Sequence, residues 1–236
     1  MKISIIVCIA FIILNVFATA ADFKVMEIKG AATVRHGVNE KWNSVSVGDI
    51  LNSDDSIELD KQSSATLIFN GTAKITLPEM VIIDLSDLRM LSQEDLLLKL
   101  AMENIRSIPP RDNIKELNIP RVTIVHGEKR EQSTKRVQHD VQNGVKQLNG
   151  CRVLHRSGYY ATCALKVKQV FRLYPTLKED IDIRMLIASS FEKMNLNEEA
   201  LEEYHALLEK SLPKEQQSML NKKIELLTSI LKSSQD

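Results

Sequence analysis

From Phe23 to about Leu85, apolar and polar positions alternate with a period of two, in "FKVMEIKGAATVRHG", "WNSVSVGDIL", "SIEL", "SATLIFNGTAKITL" and "MVIIDL". Such alternation over short runs, interrupted by Gly, Asn and Asp, predicts half-buried strands joined by tight turns. Within it, Asn70-Gly71 supplies the two positive-φ residues of a type I′ hairpin turn. Pro78 has no N–H to give a partner strand, so the second strand of that hairpin should stop there. Asn70-Gly71-Thr72 also spells a glycosylation acceptor, but turn chemistry explains it without a sugar.

Further along, the period lengthens. "SQEDLLLKLAMENIRSI" begins with Ser92 as a helix N-cap and carries Glu94 and Asp95 in its first turn. Leu96, Leu97, Leu100 and Ile105 form its apolar stripe, and Pro109-Pro110 closes it. A polar, basic connector follows, with one short strand-like island, "RVTIVHG". After about Gln138 the spacing is helical. Two segments superpose at an offset of 37 residues, with Cys151 on Ala188, Cys163 on Ala200, Val167 on Tyr204 and Val170 on Leu207. Self-similarity at that period predicts helical hairpins stacked as repeats. The last segment carries Met219, Leu220, Ile224, Leu227 and Leu231 on one side, which suits a cap on the open end of the stack. The expected fold class is α+β. An all-β unit of short antiparallel strands over residues 21–90, either a sandwich or a solenoid-like stack, precedes a helix and connector over 91–137. A helical-repeat unit occupies 138–236.

The first residues change the picture of where this happens. Met1-Lys2 precedes the apolar run "ISIIVCIAFIILNVF" and then "ATAAD", the layout of a secretory signal with cleavage between Ala20 and Ala21. An uncleaved run would instead act as a membrane anchor. Cleavage places the chain in the periplasm or outside the cell. Charge is balanced, with 31 basic and 31 acidic residues, so no net field draws the chain to nucleic acid or to an anionic membrane. Basic and aromatic residues are not interleaved as a single-strand binding platform requires. Cys151 and Cys163 remain after signal removal, seven residues before and five after Gly158. A hairpin turning at Gly158 brings them level, and an oxidising compartment then favours a disulfide.

The succession Gly30, Val34, Gly37, Trp42, "VGDIL", "SDDSIEL" and "SSATLIFNGTAKITLP" resembles the FecR domain, a periplasmic β-module, over about sixty residues. Gly48-Asp49 matches one family turn and Asn70-Gly71 the common Asp-Gly hairpin. Asp54-Asp55 stands where Gly-Asp is frequent, and Leu59 where threonine is frequent. That pattern contains no catalytic residues, so the resemblance implies binding or assembly. The helical segments are similar to tetratricopeptide repeats. Ala188 takes the small first-helix position, Phe191 follows a turn later, "NEEALEEYHALL" supplies the second helix, and Pro213 lies just past its end. In the preceding copy Gly158, Tyr160 and Pro175 keep the spacing, whereas Asn195 replaces the usual turn glycine in the later one. The resemblance implies that the first helix of each pair lines a concave, partner-binding face. On those helices Arg152 and His155, and Met185, Ser189 and Glu192, project as two sets.

Motifs of catalysis are not in evidence. The five histidines show no HExxH pair and no zinc spacing with cysteine, and there is neither a Gly-x-Ser-x-Gly elbow nor a phosphate-cradling glycine loop. "VHGE" at 125–128 places a His near a carboxylate but fits a solvated turn after a short strand. Asp54, Asp55, Glu58 and Asp60 lack the regular ligand spacing of a calcium loop, and fit turns and exposed strand positions. No cofactor or metal is expected. The expected function is a secreted or periplasmic, non-enzymatic binding or scaffold protein. Its β-module would contact an envelope component, and its repeats a protein or peptide partner. Two alternatives stay open: an envelope hydrolase or transferase assembled across the fold, and a membrane-anchored signalling component.

Overall fold

The computed structural model describes residues 23–107 and 131–233. The signal segment with its cleavage point at Ala20 and Ala21, the strand-like island at 121–127 and the "VHGE" cluster lie outside the described residues. Eight strands open the fold: β1 (Phe23–Lys29), β2 (Ala32–Arg35), β3 (Trp42–Ser44), β4 (Ile50–Leu51), β5 (Ser56–Leu59), β6 (Ser64–Phe69), β7 (Ala73–Leu77) and β8 (Val81–Asp84). They form two four-stranded antiparallel sheets, ordered β4-β1-β6-β7 and β3-β2-β5-β8. Six helices follow among the described residues: α1 (Gln93–Ser107), α2 (Glu131–Arg156), α3 (Tyr160–Leu173), α4 (Ile181–Lys193), α5 (Asn197–Leu208) and α6 (Lys214–Ser233). The arrangement is α+β.

Period-two alternation sets which side chains face inward. Ala32 and Val34 of β2, Ile57 and Leu59 of β5, and Val81 and Ile83 of β8 enter one buried cluster with Val25, Leu67, Ile75 and Leu77 of the other sheet. Each fully buried aliphatic chain contributes about 1.5–3 kcal/mol. The β6–β7 hairpin carries positive φ at Asn70 (49°) and Gly71 (74°), and the Thr72 N–H donates to the Phe69 carbonyl at 3.2 Å. These are the features expected of the turn, yet the loop has a third residue, because Phe69 faces Ala73. The core dictates that extra residue. In this register Leu67 opposes Ile75 and Ala65 opposes Leu77. A two-residue loop would set Leu67 against Lys74 and turn the lysine into the core. β7 ends at Leu77, just before Pro78.

The outer face of the second sheet is where the structure departs from the alternation. Asp55 and Glu58 were expected at turns and exposed strand positions, but Asp55 is buried and Glu58 faces α2. The reason is that α2 and α3 cover this face. Gly150 lets α2 come close, since a Cβ there would meet the Ile82 carbonyl oxygen at 2.3 Å. The side-chain amide of Asn149 donates to the Met80 carbonyl at 2.7 Å, and the Thr162 hydroxyl to the Arg89 carbonyl at 3.0 Å.

Ser92 caps α1 as expected, its hydroxyl accepting from the Asp95 N–H at 3.1 Å. The stripe is rotated, however. Leu96 and Leu100 pack inward, Leu97 and Ile105 are exposed, and the third inward position is Glu103, 4% exposed. A guanidinium donor on α3, Arg172, pairs with that carboxylate and explains the rotation. Helix α2 starts at Glu131, ahead of the expected 138. No Pro or Gly between 131 and 143 stops it, and an acidic residue favours the helix start. The 37-residue repeat reappears in the helix boundaries. Arg156 and Lys193 end α2 and α4, and Tyr160 and Asn197 begin α3 and α5. All eight superposed residues, from Cys151 and Ala188 to Val170 and Leu207, are fully buried. Leu220 and Leu227 of α6 close the end of the stack.

Candidate functional site

The structure divides the five residues expected on the partner face. His155 Nε2 on α2 lies 3.3 Å from Ser189 Oγ on α4, so these two join the first helices of the pairs. Burial, with Lys193 nearby, holds the His155 ring below its usual basicity. Arg152 donates to Asn149 Oδ1 at 2.7 Å on its own helix. Met185 turns toward α6 and lines a cavity of about 220 Å³ with Leu212, Met219 and Leu220. Glu192 was expected to offer a free acid to a partner. Instead it accepts from the Tyr204 hydroxyl at 2.7 Å and from Lys223 Nζ at 2.7 and 3.0 Å. Burial opposes its charge, but those donors overcome it and hold the carboxyl below its usual range.

Cys151 and Cys163 are fully buried between α2 and α3, both as free thiols. Burial and the neighbouring Cys163 push the Cys151 thiol well up. Burial likewise pushes Cys163 up to about 12, against the opposing pull of the Ser190 hydroxyl. Beside them, Lys166 pairs with Asp84, and with Asp87 at 3.0 Å, while Lys146 pairs with Asp60, and with Glu58 at 2.6 Å. The Ser56 hydroxyl donates to Asp84 at 2.6 Å and accepts from Arg35 at 3.0 Å. This network binds helices to sheet, and its groups are committed to one another.

A second constellation opens to solvent. In a cleft between α1, α3, α4 and α5, Arg172 pairs with the buried Glu103, which also has Arg106 at 3.6 Å. Lys168 pairs with Glu203, and Arg184 stands 3.6 Å from its other oxygen. The Arg184 Nε donates to the Lys178 carbonyl at 2.7 Å, and its guanidinium lies 5.9 Å from the Phe171 ring centre. These side chains surround a cavity of about 200 Å³. A neighbouring cavity of about 240 Å³ shares Asn104, Lys168 and Glu203 with it and continues along Leu97, Leu100 and Phe191 to Glu199 and Glu202. Sequence reasoning did not find this cleft. The available signals were Lys168 and Arg172, one turn apart on a helix whose buried face is apolar, and Glu103 within the α1 stripe.

On the β-module, His36 Nδ1 lies 3.0 Å from the Oδ1 of buried Asp55, whose other oxygen accepts from the Asn52 N–H. A carboxylate can only accept, so it orients the ring and leaves Nε2 outward. That gives two parts of a proton-transfer triad. The adjacent hydroxyl, on Ser56, is committed to Asp84 and Arg35. Among the described residues no group of three His, Cys, Asp or Glu side chains is arranged to hold a metal, and no helix is long and apolar enough to cross a membrane. Comparison with known protein families, curated proteins and solved structures finds no match to the chain.

Proposed function

We propose that this chain is a non-enzymatic binding protein of the periplasm or extracellular space. Its helices hold a protein or peptide partner and its β-module contacts an envelope component. The observation that carries the reading is the charged cleft. Three of its cations, Lys168, Arg172 and Arg184, are held by Glu103 and Glu203, which are themselves buried, so most of the site is ordered before a ligand arrives. A preordered site spends less of its interaction energy on fixing side chains. The signal-like start and the FecR-like succession of residues support the compartment, and the tetratricopeptide-like spacing supports a partner that is a polypeptide. The test is capture from an envelope extract by the immobilised mature protein, with bound proteins and peptides identified and competed off by free protein. Loss of a captured protein on Arg152→Ala assigns recognition to the α2/α4 face, and loss on Lys178→Met assigns it to the cleft. Capture unchanged by both moves it to the β-module, and no competable capture ends the proposal.

A further inference from the structure

The ion pairs of the cleft do not use up its charge. Around the first chamber stand four cations, Lys168, Arg172, Lys178 and Arg184, against two carboxylates, Glu103 and Glu203, leaving two positive charges in excess. Lys178 supplies one of them, because its ammonium has no ion-pair partner among the described residues. The adjoining chamber has the opposite sign. Glu199 and Glu202 face it from α5, neither of them in an ion pair among the described residues, and its wall is apolar, with Leu97 39% exposed. The two chambers meet at Asn104, Lys168 and Glu203.

We infer that the cleft binds a short peptide with both ends free. Its carboxylate would sit in the first chamber against Lys178, Arg172 and Arg184. An apolar side chain would cover Leu97 and Leu100, and the terminal ammonium would reach Glu199 and Glu202. The bipolar layout selects this class. A simple anion such as phosphate would satisfy one chamber and be repelled by the other, and a polyamine would meet the reverse. Guanidinium groups match a carboxylate with paired N–H donors, which a lone lysine could not do. Each chamber, at 200–240 Å³, has room for one or two residues and not for a folded partner. This inference rests on reading the chain as a binding protein, and it names the ligand that the cleft would take.

Calorimetric titration of the whole mature protein at low salt tests it, with Ala-Leu-Ala as the probe in three forms: free, N-acetylated and C-amidated. The free form should bind, and blocking either end should weaken it by about tenfold, the loss of one charge-assisted contact. Lys178→Met should shrink the preference for acid over amide, because one of the two excess positive charges is lost, and leave the preference for the free amine unchanged. Glu199→Gln with Glu202→Gln should do the converse. None of the three side chains is in an ion pair among the described residues, so thermal unfolding of both variants should match that of the parent. Equal affinity for the three forms, no binding at millimolar peptide, or binding of inorganic phosphate in place of the peptide would each overturn the inference. Capture of an envelope protein alongside any of those results would leave the binding reading standing and remove only this ligand.

Discussion

Lys166 holds two carboxylates of different character. Burial works against charge on both. At Asp84 the lysine, the Ser56 hydroxyl and Arg35 overcome it and keep the carboxyl below its usual range, whereas at Asp87 burial wins and raises it. The lowered Asp84 gives stability above its ordinary pKa that is lost as pH falls. The raised Asp87 costs stability as pH rises through the same region, so the two oppose each other in acid. Lys166→Met would leave Asp84 with Arg35 and Asp87 with Arg89 as the remaining cations and should cost about 3 kcal/mol in urea unfolding at neutral pH. The cost should shrink in acid as Asp87, whose carboxyl is raised, takes up a proton. On the alkaline side the signs agree. Cys151, Cys163, Lys146, Lys166 and Tyr204 are all raised, so each keeps its proton in the fold after the unfolded chain has lost it. In the reduced protein the thiols lead this loss. With an unfolded value near 8.5 against about 12 in the fold, Cys163 alone removes about 2 kcal/mol by pH 10. Cys163→Ala should flatten stability above pH 8.5. The proposed Cys151–Cys163 disulfide would flatten it too, and would add about 3 kcal/mol in the chain-entropy account. Alkylating the unfolded, unreduced mature protein distinguishes the two states, because two labelled thiols exclude the bridge.

Each helical pair turns on one residue with positive φ, Gly158 at 85° and Asn195 at 58°, again 37 positions apart. Nothing lies within 4 Å of a Cβ added at Gly158, so Gly158→Ala isolates backbone strain. It should cost about 1–2 kcal/mol, while Asn195→Gly should be neutral or slightly stabilising, both read from thermal unfolding. Gly150 makes the contrasting case. In an exposed helix Gly→Ala gains about 1 kcal/mol, but the added methyl at 2.3 Å from the Ile82 carbonyl must push α2 off β8, at about 1–3 kcal/mol or more. A net loss of stability is therefore expected. These elements mark the limit of what the sequence made legible. Strand alternation, the Asn70-Gly71 turn, the Ser92 cap and the repeat boundaries are local or periodic, so the chain displays them directly. The register that inserts Thr72 into the hairpin depends on which faces are buried, and that is a property of two strands together. Helix–sheet and cleft pairs are less visible still. Lys146 and Glu58 are 88 residues apart, Lys166 and Asp84 82, and Arg172 and Glu103 69. A lysine in one amphipathic helix carries no mark of which distant carboxylate it will meet. For the same reason Glu192 was read as a free surface acid, although Lys223 of α6 and Tyr204 of α5 hold it.

In the whole molecule the sheets and helices share one boundary, and its chemistry sets how they unfold. The change of period across the connector predicts two units that fold separately. The structure adds an interface of mixed character between them: close backbone contact at Gly150, hydrogen bonds from Asn149 and Thr162, and ion pairs from Lys146 and Lys166. Such contacts are directional and hold a fixed orientation. They contribute less net free energy than an apolar interface of equal area, because each charge loses its hydration on docking. Coupling should therefore be real but breakable. Limited proteolysis should cut within 107–136, where the sequence is polar and marked by prolines, and the two fragments should still co-elute in size-exclusion chromatography. In the uncut protein, the fluorescence of Trp42 and far-ultraviolet circular dichroism should report one urea transition. Lys166→Met combined with Gly150→Ala should split it in two, with Trp42 following the β-module and the helical signal following the repeats. First cleavage inside 30–80 would mean that the boundary lies elsewhere. A single transition that persists in the double variant would mean that neither unit is stable without the other, and that the helices owe their fold to the sheet they cover.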